Sequence, residues 1–257
     1  MKKILFLGYN SKKTKLINFL RSQNFILTIT NKKLSERKNL SVYDLIISFG
    51  YNHIISKNLL KKCKKPIINL HMSFLPFNKG AHPNFWSFIE NSPSGVTIHE
   101  INENVDSGNI IIQKMIYFDL NKNKSLTFKN TYDHLFIEIE NLFIQNFKRI
   151  LDYKYKSYKQ VDTGSFHTKK QLPKKFIQNW NQNILKVKKS YSKYLFKKQK
   201  ERLQIINKIE NTRKSNNVNW MNLLKIAIKS NPYETIKVLK KINTDDNKIS
   251  KLFKKIH

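Results

Sequence analysis

Asn69 and His71 stand two residues apart at the end of the apolar run Pro66-Ile67-Ile68. Side chains two apart on a strand leave the same face, so the amide and the imidazole project together while Leu70 points the other way. The pair suits addition to a carbonyl carbon. An amide N–H can donate to the oxygen that gains charge, and an imidazole can give or take the proton. Taken alone, the pair reads more readily as a strand cap and a satisfied buried histidine. Asp106, 35 residues after His71, sits in Asp106-Ser107-Gly108, which by itself is ordinary turn chemistry.

The surrounding residues change that balance. Asn69-x-His71 precedes Ser73-x-Leu75-Pro76, then Lys79-Gly80, then Gly95-Val96-Thr97-x-His99, then Asp106-Ser107-Gly108 with isoleucines following. This order across residues 69 to 114 resembles the formyltransferases that use 10-formyltetrahydrofolate. That family includes methionyl-tRNA formyltransferase, glycinamide ribonucleotide formyltransferase and the sugar N-formyltransferases. The resemblance extends more loosely over residues 1 to about 170.

It implies a catalytic trio of Asn69, His71 and Asp106, with Asp106 keeping His71 charged, because a carboxylate raises the pKa of a neighbouring imidazole. It implies a pterin pocket along Tyr51 to Ile55 and the loop Asn102 to Asp106. His53, Ile54, Ile55, Leu75, Asn102, Glu103, Asn104 and Val105 are its expected folate-binding residues, with apolar walls and backbone amides suited to a flat heterocycle. His99 is expected to hold the loop by hydrogen bonds. Lys79-Gly80 stands where the family usually has Arg-Gly, and an ammonium there offers a point charge rather than a bidentate fork. The run Gly80-Ala81-His82-Pro83-Asn84-Phe85-Trp86 looks closer to enzymes of surface-glycan biosynthesis, whose acceptor is a nucleotide-linked amino sugar. Lys79, Gly80, Trp86 and His167 are the expected acceptor contacts. The stretch 162–170 also resembles a segment after the core of such relatives, where Lys169 and Lys170 could meet a diphosphate. No metal is implied.

The elements that must position these groups are legible from periodicity. "KILFLGY", "NFILTIT", "YDLIISFGYN" and "PIINLHMS" are short apolar blocks with helical spacing between several of them. Such blocks predict an α/β, Rossmann-like, mainly parallel sheet flanked by helices, whose ligand site lies beyond the carboxyl ends of the strands. "GVTIHEI" and "NIIIQKMIYF" predict an antiparallel pair with an irregular loop between them, and residues 125–151 predict a long helix.

All six glycines lie at or before Gly164, and residues 171–257 carry 22 Lys and Arg against 5 Asp and Glu. We read residues 1–170 as the catalytic domain, 171–200 as a basic linker and 201–257 as a helical extension. Asn231-Pro232 should open one helix and Thr244 or Asp245 should cap a final short one. The stripe Trp220, Leu223, Leu224, Ile226, Ile228, Val238, Leu239 and Ile242 is expected to face the inside of a small bundle. A basic docking module for a protein or membrane surface is the other reading of this tail.

The formal charge of +32 comes with a Lys, Asn and Ile excess that looks like AT-rich coding, so nucleic-acid binding is not favoured. Against methionyl-tRNA as the acceptor, the tRNA-directed relatives carry a small C-terminal β-barrel, whereas this tail reads as helices. Cys63 is the only cysteine, which excludes a disulfide framework and a thiolate zinc site and fits a cytoplasmic enzyme. The apolar run after Met1-Lys2-Lys3 is too short for a signal peptide and reads as a first strand. No run of 18 apolar residues suggests a membrane span. A homo-oligomer is left open.

Overall fold

The computed structural model describes residues 1–161 and 164–253. Alternation in the first strand, β1 (Lys3–Gly8), sets up both faces of the sheet. Ile4 and Phe6 turn to one side, Leu5 and Leu7 to the other, and all four are fully buried. A strand hidden on both sides is the hallmark of a covered parallel sheet. The chain continues through α1 (Leu16–Ser22), β2 (Ile26–Thr30), β3 (Leu45–Phe49), α2 (Lys57–Lys61) and β4 (Ile68–His71). It then forms a two-residue strand β5 (Lys79–Gly80), α3 (Pro83–Ile89), β6 (Gly95–Glu100), β7 (Ile110–Met115) and α4 (Phe128–Leu151). A second two-residue strand, β8 (Phe166–His167), precedes α5 (Ile184–Ser230) and α6 (Pro232–Phe253).

The main sheet has the order β2-β1-β3-β4-β6-β7. Its first four strands are parallel, and β6 and β7 join as the expected antiparallel pair. The mainly parallel, helix-flanked architecture with a helical C-terminal region is therefore the one the patterning predicts. One face is covered by α1 and α4, which bring Leu16, Ile17, Leu20, Leu135, Ile139 and Phe143 onto the strands. Each such large apolar side chain contributes about 1.5–3 kcal/mol by leaving water. The other face is covered less regularly, by α2 and by Leu34 and Leu40 of the connection between β2 and β3, where no helix forms. α4 starts where Thr127 and Asn130 form a reciprocal cap, the Thr127 hydroxyl accepting from Asn130 N–H at 3.1 Å.

β5 and β8 form a separate parallel pair that periodicity did not reveal, because two residues carry no pattern. Nearby, Phe85, Trp86 and Phe88 of α3 bury against Phe128, Ile184 and Val187.

One compact unit ends at Tyr191 and a second begins at Ser192. The stretch 171–200, expected as a basic linker, instead divides between them. Phe176, Ile177, Ile184 and Val187 pack into the first unit, since burying them outweighs the local lysine content, and residues 192–200 are helical within α5. α6 runs unbroken through Thr244 and Asp245, so the expected final short helix is not a separate one. No Gly or Pro interrupts it after Pro232, Thr244 bonds back to the Lys240 carbonyl at 2.9 Å, and Asp245 pairs with Lys248 at 3.0 Å. The expected bundle interior is not formed either: Trp220, Leu223, Ile226 and Val238 are all more than half exposed. The start of the 162–170 stretch, Asp162 and Thr163, and the chain end after Phe253 lie outside the described residues.

Candidate active site

β4 ends on His71, and β6 lies beside it in a register that sets Asn69 opposite His99 and His71 opposite Thr97. A register irregularity between Ile98 and His99 marks where β6 loses its even pairing with β7. The loop that follows carries Asp106 back over the end of β4. Asp106 adopts φ 49°, a left-handed conformation that Asp tolerates better than most residues.

Asp106 is the hub. Its Oδ1 accepts from Asn69 Nδ2 at 3.2 Å and lies 3.5 Å from His99 Nε2; its Oδ2 accepts from Gly80 N–H at 2.9 Å and lies 3.6 Å from His71 Nδ1. The three expected catalytic residues are therefore brought together, and His99 and Gly80 join them. Asn69 Nδ2 also reaches His99 Nε2 at 3.0 Å, while His99 Nδ1 faces the Glu100 carbonyl at 2.7 Å. That carbonyl requires Nδ1–H, so Nε2 accepts from Asn69 and both amide hydrogens of Asn69 are engaged. Donation by Asn69 to a substrate oxygen requires exchanging one of them, and the Asp106 bond is the longer.

Two features hold the loop. Gln160 Nε2 donates to the carbonyls of Asp106 and Gly108, each at 2.9 Å. Gly108 packs so closely that an added Cβ would lie 1.7 Å from the Glu100 carbonyl oxygen. Gly108→Ala should displace the loop and lower kcat by about tenfold or more, in line with the steep cost of misplacing a catalytic group, while leaving the far-UV circular dichroism unchanged. Wild-type turnover in that variant would show that the loop position is not limiting.

Burial would raise the Asp106 carboxyl, yet the positive charge that His71 carries at the low pH where the carboxyl titrates, the neighbouring His99 and the hydrogen bond from Gly80 N–H hold it well below the usual carboxylate range. His71 moves the opposite way from expectation. Its near-complete burial lowers its pKa below the ordinary histidine value, and the attraction of Asp106 offsets this only in part. The ring nitrogens do face two acceptors, Asp106 and the Asn78 carbonyl, but at 3.6 Å and 3.5 Å neither is close enough to repay the lost hydration of an imidazolium. His71 is thus neutral near pH 7 in the free protein rather than held charged.

These groups line a cavity of about 800 Å³ beyond the carboxyl ends of β1, β3 and β4. His53, Ile54, Ile55, Asn102, Glu103, Asn104 and Val105 border it as expected, as do Gly80 and His167. Leu75, Lys79 and Trp86 do not. Leu75 is 1 % exposed and its N–H is fixed on the Thr97 hydroxyl, so it supports the strand end rather than a ligand. Trp86 lies under the cavity, stacked on His167 with centroids 4.1 Å apart. Lys79 instead pairs its backbone with β8, and neighbouring Gly80 spends its N–H on Asp106. Gly80 sits at φ 85° with a would-be Cβ 2.4 Å from the His167 carbonyl, which is why only glycine fits there. Sequence reasoning missed Gln160, Tyr9, Lys13, Tyr132 and Trp180, which lie near the site but in segments without motif spacing, and gave no role to His82, which lies within the run Gly80 to Trp86.

A family model for formyl transferases matches residues 3–133. The chain is 33 % identical over 142 residues to the bifunctional polymyxin resistance protein ArnA of Wigglesworthia glossinidia brevipalpis, covering 54 % of this chain and 21 % of that protein. It is 30 % identical over 128 residues to the dTDP-4-amino-4,6-dideoxyglucose formyltransferase of Mycobacterium tuberculosis, covering 50 % of this chain and 52 % of that one. The chain thus spans about half or less of these curated relatives. Among solved structures it is similar to the formyltransferase PseJ of Anoxybacillus kamchatkensis, determined with UDP-4,6-dideoxy-4-formamido-L-AltNAc and tetrahydrofolate. There the identity is 38 % and the TM-score 0.66, over 72 % of this chain and 97 % of PseJ. With the matched segment spanning the sheet, the Asn69 and His71 strand end and the Asp106 loop, the chain belongs to the formyltransferase family.

Proposed function

We propose that this chain moves the formyl group of 10-formyltetrahydrofolate to a primary amine on a nucleotide-linked sugar. The observation that carries the reading is the convergence of Asn69, His71 and Asp106 at the floor of the cavity. The acceptor class draws on the PseJ and dTDP-amino-sugar relatives.

In this reading the pterin lies against His53 to Ile55 and Asn102 to Val105, where the exposed Ile54 and Val105 offer apolar surface. The amine nitrogen attacks the formyl carbon and the carbonyl oxygen becomes an oxyanion, which Asn69 stabilises after releasing Asp106. Neutral His71 takes the proton that the amine sheds, and Asp106 stabilises the imidazolium so formed. The His71 imidazolium returns that proton to N10 of the folate as the bond from the formyl carbon to N10 breaks, giving the formamide, tetrahydrofolate and a neutral His71 again. Every group named in this sequence belongs to the first unit, which ends at Tyr191. With a single half-buried cysteine and no described helix long and apolar enough to cross a membrane, the reading places the reaction in the cytoplasm. Neither nucleic acid nor self-association is needed for the chemistry.

An assay that follows tetrahydrofolate release should show turnover only when a UDP- or dTDP-linked 4-amino sugar is added. Formylation of methionyl-tRNA but of no nucleotide-linked amino sugar would overturn the acceptor class. The described residues after Tyr191 are almost wholly helical, unlike the β-barrel expected of tRNA-directed relatives.

A further inference from the structure

The groups assigned to the chemistry all belong to the first unit, which leaves the second, from Ser192 onward, without a task. Residues 192–257 carry 17 Lys and Arg against 5 Asp and Glu. A coding bias toward lysine would scatter these charges around a helix. In α6 they are sorted. At 3.6 residues per turn, Lys237, Lys240, Lys241 and Lys248 fall within about a third of the circumference, and Val238, Leu239 and Ile242 fall on the opposite side. The end of α5 repeats the division, with Lys225 and Lys229 on one side and Trp220, Leu223 and Leu224 on the other. Only Asn231 separates the two helices, and its N–H donates to the Ala227 carbonyl at 2.8 Å, so the helical turns continue almost without a break. Trp220 is 62 % exposed, Leu223 57 % and Val238 54 %, so both apolar sides meet solvent.

The possible covers for this surface differ in what they require. A second copy would bring together two tails of the same strong positive charge. An acidic protein seated on the apolar side would leave the lysines without contact partners, on the far side of a helix about 10–12 Å wide. A layer of anionic lipid takes up apolar side chains without a fitted groove. Its charge also reaches around a half-sunk helix, because exposed charges act over about 8 Å at physiological ionic strength. No described helix is long and apolar enough to cross a membrane, so the tail would lie on such a layer rather than span it.

We propose that residues 218–248 form an amphipathic docking surface for anionic lipid headgroups. Trp220, Leu223, Val238 and Ile242 enter the headgroup boundary, and the lysines are held by the lipid charge. This assignment goes beyond the formyl-transfer reading and stands or falls without it.

The test is flotation of the full chain with vesicles of phosphatidylcholine alone and with vesicles that also hold about 30 % phosphatidylglycerol. The chain should float with the anionic vesicles only, and less as salt rises. Trp220→Ser combined with Leu223→Ser should weaken that binding by about tenfold or more, the scale of lost apolar burial. Lys240→Gln combined with Lys241→Gln should weaken it by about tenfold, with the helix content by circular dichroism at the wild-type level. Binding to neutral and anionic vesicles alike, or to neither, would overturn the proposal. So would anionic binding that survives in both double variants, which would place it on the basic first unit. Loss in the lysine pair alone would reduce the effect to adsorption of a charged chain and overturn it too. A wild-type chain that sediments as a dimer without lipid, and as a monomer after Trp220→Ser and Leu223→Ser, would give this surface to a second copy instead.

Discussion

Asp106→Asn should lower kcat by roughly 10²- to 10⁴-fold, the range for loss of an acid–base partner, with little change in the KM for the folate. The reasons lie in the four groups around the carboxylate. One oxygen accepts from Asn69 and lies 3.5 Å from His99 Nε2, the other accepts from Gly80 N–H and lies 3.6 Å from His71 Nδ1. Asparagine keeps the volume but turns one acceptor into a donor, which then faces a donor. More important, the imidazolium formed as the amine loses its proton has no counter-charge in a buried site, where an unpaired charge is costly. In the free variant the same loss removes the Coulombic attraction of Asp106 that raises His71, so the His71 pKa falls further below its ordinary value. Rate and histidine titration must therefore fall together. Turnover within about threefold of wild type, with a folded protein by circular dichroism, would remove Asp106 from the mechanism; rate loss without a shift of the histidine would make it a loop anchor only.

His71→Gln should show a comparable fall, again roughly 10²- to 10⁴-fold, and a change in pH behaviour that identifies the cause. In the wild type the neutral imidazole is the competent form. Because burial lowers its pKa, activity should be held at neutral pH and be lost on acidification only below the ordinary histidine value of 6.5. The sign follows directly: protonation before substrate binds removes the base, so acid inactivates and moderate alkali does not. Asp106 is held too far below the usual carboxylate range to contribute a second step in that window. The residual activity of His71→Gln should then lack the acidic limb, measured as kcat with the amine substrate saturating. An acidic limb that persists unchanged in the variant would assign it to another group and leave His71 a structural residue.

Much of the framework behind these expectations is readable from residue order. β1, β3 and β4 are apolar blocks whose neighbours alternate between two buried faces, and the antiparallel β6 and β7 follow from the change in pattern after Gly95. Asn69 and His71 lie on the same side of a strand because a pleat repeats every two residues, which needs no tertiary information. Lys79 and Trp86 illustrate the opposite case. Both sit in a motif, yet neither borders the cavity, because a two-residue pairing with β8 and the packing of α3 override their place in the order. The expected bundle of the tail failed for a related reason. Helical spacing identifies an apolar stripe but not what covers it, and here Trp220 and Leu223 are exposed.

The sequence by itself determined the sheet, the pair at the end of β4 and the candidate third member in Asp106, since these rest on local periodicity and motif spacing. Only the tertiary structure decided how the trio is wired and charged. Gly80 N–H and Gln160 reach Asp106 and its loop from 26 and 54 residues away. His71 is neutral rather than charged because burial outweighs a carboxylate 3.6 Å away, and Trp180 stacks on His82 in the cavity wall. Desolvation and contacts between distant segments are properties of the packed molecule, and no spacing of residues along the chain encodes them.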